Sequence, residues 1–332
     1  MKKLTGAIAG IALVWALSGS ASTDTQGHAA AEQQGRVDQD GSQKAVLVTG
    51  ASSGIGRKIT EVLSARGYFV YAGARKEQDL RELNAMENVQ SIRLDVTVQA
   101  EIDAAVETVR RAGRGLYGLV NNAGVAVIAP LIEVEEDELD FQMDVNVYGP
   151  YRITKAFSPL IIESEGRITT IGSISGILSG AFSGPYSMSK HAVEAYTDAL
   201  AAEMALFDVQ VSVVEPGNYQ SRIGTNLRQR MEDNGQNFEG SLFAEQLQGF
   251  MDSPADRSQY KEPDEVAEAV LHALFDEDPK IRYMVVPNQQ EAEITIRQAI
   301  AELVQLNERH AYTYDRESLI AMLDEALANS GM

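Results

Sequence analysis

"AVLVTGASSGIGRKITEVLSARG", residues 45–67, is the stretch on which the fold turns. It opens with an unbroken β-prone apolar run, the mark of a strand buried on both faces. Its last eleven residues carry apolar side chains at helical spacing and stop on Gly67, a residue that readily ends a helix. Between the two, Gly50, Gly54 and Gly56 form G-x-x-x-G-x-G. Glycines in such a place permit a tight turn, a close approach of backbone to a diphosphate, and close packing of helix on strand. The helix N-terminus adds N–H groups and partial positive charge. Gly50, Ser52, Ser53, Gly54, Ile55 and Gly56 are therefore candidate contacts to a nucleotide. The spacing departs from the G-x-G-x-x-G fingerprint, and on the turn alone a flexible loop without function is the competing reading.

Working outward, strand-like and helix-like stretches keep alternating. "YFVYAGAR", "VQSIRLDV", "YGLVNNAG", "RITTIGS", "VQVSVVEPG" and "RYMVV" read as strands. Helices are expected over residues 98–112, 135–160, 186–206 and 263–275. This pattern calls for a Rossmann-type doubly wound α/β fold: one domain, about seven parallel strands, helices on both faces. Residues 221–259 break the rhythm with Gly, Asn, Asp and Ser, and an irregular stretch of that length reads as a lid. A helical tail over residues 291–327 extends the domain, which is expected to occupy residues 44–332.

Upstream, Lys2 and Lys3 precede an apolar run and the small residues "SGSAST". Residues 1–21 thus read as a signal peptide, too short to span a bilayer comfortably, and residues 22–43, rich in Ala, Gln, Gly and Ser, as a disordered linker. That layout predicts export to the periplasm, with a cytoplasmic or membrane-tethered protein as the alternative. The chain has 48 acidic against 28 basic residues and a net charge of -20. Such a charge repels phosphate backbones and anionic lipid, so nucleic acid is not an expected partner. With no cysteine there is no disulfide and no thiolate chemistry, and the four histidines show no ligand spacing, so no metal site is expected.

The second strand ends in "GARKEQ", where Arg75 and Lys76 could hold a 2'-phosphate. An arginine fork suits phosphate and a carboxylate would repel it, which favours NADP and leaves NAD possible. The other reading makes Arg75 a solvated strand end and gives the ribose to Glu77. Further on, "GPYSMSK", residues 184–190, sets Tyr186 four positions before Lys190, on one face of a helix. An ammonium beside a phenol favours the phenolate and would fit tyrosine for general acid–base work. Ser173, in "GSISG", offers a hydroxyl to a carbonyl or alcohol. Singly, each of these arises often by chance.

Taken together, TGASSGIG (49–56), LDVT (94–97), NNAG (121–124), DVNVYG (144–149), GSISG (172–176), YSMSK (186–190) and VEPG (214–217) appear in an order that resembles the short-chain dehydrogenase/reductase family over residues 44–290. The resemblance implies hydride transfer between a nicotinamide and a secondary alcohol or ketone. It implies Tyr186 as acid/base, Lys190 tuning it and bonding the nicotinamide ribose, Ser173 orienting the carbonyl, and Asn146 holding a water in the proton relay. It assigns Asp95 and Val96 to the adenine, and Asn122, Ala123 and Gly124 to the floor beneath the cofactor. Pro216, Gly217 and Ser221 would lie against the nicotinamide, Ser221 standing where the family often has threonine. It also implies a homodimer or homotetramer, built on helices flanking the active site.

Two alternatives differ in class: a nucleotide-sugar epimerase or dehydratase, and a non-catalytic NADP-binding sensor. The first usually carries G-x-x-G-x-x-G and a larger C-terminal domain; the second would lack Tyr186 or Lys190. Apolar residues in the presumed lid, among them Leu227, Phe238, Leu242, Leu247 and Phe250, either cover a hydrophobic substrate or are ordinary packing. The run "EVEEDE" (133–138) reads as a solvated helix start.

Overall fold

The computed structural model of the chain describes residues 43–329. The signal peptide expected over 1–21, and all but the last residue of the linker expected over 22–43, lie outside the described residues. Seven strands make one sheet: β1 (Ala45–Val48), β2 (Phe69–Ala74), β3 (Val89–Arg93), β4 (Gly118–Asn121), β5 (Arg167–Ile171), β6 (Gln210–Pro216) and β7 (Arg282–Val285). Their order is β3-β2-β1-β4-β5-β6-β7, and every pairing is parallel. The winding reverses between β1 and β4, so a crevice opens at the carboxyl ends of those strands, where doubly wound sheets hold ligands.

The helices are α1 (Gly54–Ala65), α2 (Glu77–Asn84), α3 (Gln99–Ala112), α4 (Glu136–Met143), α5 (Gly149–Glu163) and α6 (Gly184–Met204). They continue as α7 (Ile223–Asp233), α8 (Ala244–Asp252), α9 (Asp264–Phe275), α10 (Gln289–Leu306) and α11 (Arg316–Asn329). All four residues of β1 are buried, and alternate side chains serve opposite cores. Val46 and Val48 pack with Ile59 and Leu63 of α1 and with Val266 and Val270 of α9. Ala45 and Leu47 face Ile102 of α3 and Phe157 of α5. Truncating Leu63 or Ile102 to alanine would cost about 2–5 kcal/mol.

The structure departs from the sequence pattern in four places. The short α2 was not expected; it is largely polar, with Leu83 its buried anchor, while Glu77 and Asp79 suit its positive end. The helix expected over 135–160 is divided into α4 and α5 by a π-helical turn at Asp144–Tyr148, a distortion common near functional sites. Residues 221–259 are not irregular: they hold α7 and α8, which bury Leu227, Met231 and Leu247. The acidic run at 133–138 is not simply a solvated helix start. Glu133 accepts from Ser241 Oγ at 2.6 Å and from Leu242 N at 2.8 Å, and Glu138 pairs with Arg230 and accepts from Asn234 Nδ2, so these carboxylates tie 221–259 down. The tail forms two helices, α10 and α11, with the first capped by Asn288.

Candidate active site

A cleft of about 590 Å³ lies at the carboxyl ends of the strands, a volume typical of cofactor sites. The turn after β1 forms one end. Gly50 has φ of +65°, and a Cβ there would come 2.9 Å from Ala123 Cα. A Cβ on Gly56 would meet Gly50 O at 2.4 Å, a backbone atom that cannot swing aside. The "NNAG" segment braces this turn. Asn122 Nδ2 donates to Thr49 O at 2.9 Å and to Gly50 O at 3.1 Å, while Thr49 Oγ1 accepts from Asn122 N and Ala123 N, each at 3.0 Å. Ser53 starts α1 without a side-chain cap, and the first turn carries no acid, so the helix end presents N–H groups and positive potential to the cleft.

At the far end of this turn, Arg75 reaches Asp95 at 3.4 Å, and its side chain is 64% exposed, free to meet a further anion. Burial alone would raise the Asp95 carboxyl, but bonds from the Thr97 backbone and hydroxyl and the Arg75 charge outweigh it, leaving the group below its usual range.

Tyr186 enters on the first turn of α6, behind Pro185. Ser173, buried just past the end of β5, accepts from Ser175 N at 3.1 Å, which fixes its hydroxyl in the same cleft as the Tyr186 phenol. Burial raises the phenol, opposed by the Ser173 hydroxyl and by the charge of Arg257. Lys190 is buried; its Nζ donates to Ile171 O at 2.8 Å and stands 5.7 Å from the Tyr186 ring centroid. Burial brings it down to about 8, partly offset by Glu194 one turn along.

Pro216 ends β6 and Gly217 follows it beside Asn218, whose N donates to Glu291 Oε2 at 2.8 Å from the start of α10. Ser221 sits over the diphosphate turn, its Cα 3.2 Å from where a Cβ of Gly54 would stand.

Every predicted cofactor residue lines this one cleft: Gly50, Ser52, Ser53, Gly54, Ile55, Gly56, Arg75, Asp95, Val96, Asn122, Ala123, Gly124, Tyr186, Lys190, Pro216, Gly217 and Ser221. Ser173 lines it too. Asn146 does not. It is 2% exposed, and its amide is committed: Oδ1 accepts from Val125 N at 2.9 Å, and Nδ2 donates to Val125 O at 3.0 Å and Ser189 Oγ at 3.1 Å. Its side chain joins the loop after β4 to α6 instead of reaching into the cleft. The apolar residues of 221–259 divide: Leu227 and Phe250 line the cleft, Phe238 and Leu247 line a separate small pocket, and Leu242 is exposed. Arg222, Arg257, Glu291 and Ile294 also line the cleft and were not anticipated.

A family model described as short chain dehydrogenase matches residues 44–232. The chain is 32% identical, over 73% of its own length and 86% of its relative's, to the "Uncharacterized oxidoreductase YbbO" of Escherichia coli (strain K12). It is 33% identical, over 73% of its length and 88% of the relative's, to the NADPH-dependent 3-dehydrocapnine reductase of Ornithobacterium rhinotracheale. Among solved structures, a short chain dehydrogenase/reductase from Burkholderia phymatum in complex with NAD superposes with a TM-score of 0.67 and 25% identity, covering 82% of this chain and 98% of that one.

Proposed function

The chain belongs to the short chain dehydrogenase family, and from that premise we propose that it interconverts a secondary alcohol and its ketone using NADP, with Tyr186 moving the proton. As a member of that family it is an oxidoreductase acting on the hydroxyl or keto group of a small molecule with a nicotinamide cofactor. The observation that carries the finer reading is that Ser173, Tyr186 and buried Lys190 line one cleft with the glycine turn, Lys190 Nζ standing 5.7 Å from the Tyr186 ring.

The residues present fit a dinucleotide. Gly50 and Gly56 leave a cradle that methyl groups would fill, and the α1 N-terminus faces it. Gly50 to Gly56 would hold the diphosphate, Asp95 and Val96 the adenine, and Lys190 the ribose next to the nicotinamide. Exposed Arg75 favours the 2'-phosphate of NADP over the bare ribose of NAD. When bound, the cofactor supplies or accepts the hydride. Tyr186 gives its proton to the substrate oxygen in reduction and takes it back in oxidation. Ser173 gives its single O–H to the substrate oxygen and steadies the charge that develops there. Asn146 acts as a positioning residue, holding the 125 loop against Ser189 of α6.

The test is Tyr186→Phe, followed by nicotinamide absorbance across a panel of alcohols and ketones. Turnover is expected to fall by about 10²–10⁴-fold, with NADPH affinity kept. Unchanged turnover would sink the tyrosine mechanism, and nucleotide binding with no substrate turned over by the wild type would favour a sensor. NADPH is also expected to bind more tightly than NADH, with Arg75→Ala narrowing the gap.

The same reading includes a homodimer or homotetramer. Tyr148 and Tyr151, at the π turn and the start of α5, and Met188 on α6 are exposed apolar side chains on the helices expected to pair. Light scattering on the purified protein tests it, and a monomer at micromolar concentration would refute it.

A further inference from the structure

The cleft reverses the sign of the chain. Four cations line it, Arg75, Lys190, Arg222 and Arg257, against two carboxylates, Asp95 and Glu291. Both carboxylates are engaged: Asp95 by Arg75, and Glu291 by Asn218 N and Asn288 Nδ2. A local excess of positive charge in an acidic protein draws anions into one place. The cofactor's phosphates account for cations at the glycine-turn end. They leave Arg257 unexplained: it lines the cleft with Tyr186 and is anchored on Asn218 and Tyr219, just past the end of β6.

Arg257 is held firmly and left unneutralised. Its Nε donates to Tyr219 O at 3.1 Å, its Nη2 to Asn218 Oδ1 at 2.9 Å, and its guanidinium lies over the Tyr260 ring, 4.6 Å from the centroid. Both acceptors are neutral. Among the described residues no carboxylate pairs with it and Nη1 has no acceptor, whereas Arg66, Arg93, Arg230 and Arg282 all pair with carboxylates. A clamp between two loops would need only the two bonds it makes; guanidinium has five N–H donors and never loses its charge. Nearby, Leu227, Phe250 and Ile294 line the same cleft with apolar surface.

We propose that the substrate carries an oxyanion, a carboxylate in its simplest form, which Arg257 binds while an apolar chain lies against Leu227, Phe250 and Ile294. This rests on the reading of Tyr186 as the acid/base, since it takes the substrate's reacting oxygen to lie at that phenol. Arg257 then sets specificity and register and takes no part in proton transfer.

The test is calorimetry on the full-length protein saturated with NADPH, using octanoate and octanamide as unreactive probes of equal length. Octanoate is expected to bind more tightly by on the order of tenfold to a hundredfold, with the preference shrinking as salt is added. Arg257→Met should abolish the preference and Arg257→Lys keep part of it, with NADPH affinity unchanged in both. In kinetics, one of 2-, 3- or 4-hydroxyoctanoate should exceed its methyl ester in kcat/KM by a similar factor. Equal binding of the two probes to the wild type overturns the proposal without any variant, and so does a preference that survives Arg257→Met. Failure here is separable from failure of the tyrosine reading. If Tyr186→Phe keeps turnover while octanoate is still preferred, only the acid/base assignment falls; if Tyr186→Phe is dead and the probes bind alike, only the anion site falls.

Discussion

Lys190 and Tyr186 share one face of α6, but the ammonium is bonded to the Ile171 carbonyl at 2.8 Å and lies 5.7 Å from the phenol ring's centre. The spacing of four predicted the shared face. The sequence argument also had the ammonium pulling the phenol down; burial instead raises it, and the groups working against burial are Ser173 and Arg257. Lys190 is thus better placed to hold a ligand in the cleft than to act directly on the tyrosine.

NADPH affinity should therefore depend on the charge of Lys190. Burial holds this group at about 8, below its ordinary 10.5, so the unliganded protein loses that charge as pH rises through 8. The dissociation constant, followed by nicotinamide fluorescence between pH 7 and 9.5, is expected to rise through that range, and Lys190→Met should flatten the profile. Stability moves the other way: the unfolded chain binds the extra proton between 8 and 10.5, so this residue's burial cost fades as pH climbs across that window.

Gly217 and Glu291 are expected to be coupled. A Cβ at 217 would stand 2.1 Å from Glu291 Oε2, with Val286 and Pro287 at 3.1 and 3.2 Å. Gly217→Ala should cost about 1–3 kcal/mol, and Glu291→Ala about 0.5–1.5 kcal/mol through the lost bond to Asn218 N. The double variant should be less destabilised than the two summed. Additive melting data would mean the clash is relieved elsewhere.

Glu215 predicts an acid-side gain in stability. It is buried at the end of β6, and burial, reinforced by the charge of neighbouring Glu194, lifts it to about 8 from 4.5. The folded protein therefore binds more protons than the unfolded chain between those values, and stability should fall as pH rises from about 4.5 to 8. Glu215→Gln should flatten that slope in urea titrations at pH 5, 6.5 and 8. An unchanged slope would show that Arg282, 3.6 Å from Glu215, neutralises it fully.

Glu138→Gln should loosen the 221–259 segment without touching the cofactor. It removes the charge facing Arg230 and weakens the bond from Asn234. Faster proteolysis within that segment and a higher substrate KM are expected, with NADPH affinity unchanged; an equal loss of both affinities would refute a lid role.

Most of the fold could be read because its signals are local. The β1 run, the glycine turn and the helix ending at Gly67 each follow from neighbouring residues, and the alternation repeats the same grammar along the sheet. Cleft residues carried by those strand ends, from Gly50 to Pro216, were legible for the same reason. Arg257 and Glu291 were not: they are isolated charges in the 221–259 segment and in α10, brought in by packing that leaves no spacing in sequence. Nothing in "EVEEDE" distinguished Glu133 and Glu138 from their solvated neighbours, since their partners stand roughly a hundred residues away. The polar α2 was too short to show a period, and the π turn at Asp144–Tyr148 holds Asn146, whose partner Ser189 lies more than forty residues away on another helix.

Glu291 carries one more implication. It reaches the cleft beside Gly217 and Asn218 from α10, beyond residue 232 where the family match stops, and Ile294 on the next turn borders the same cavity. On the function proposed above, part of the selectivity would rest on α10, outside the residues that the family model matches. Exchanging α10 for the corresponding segment of a relative would then be expected to alter which molecules are admitted more than how fast the bound one reacts.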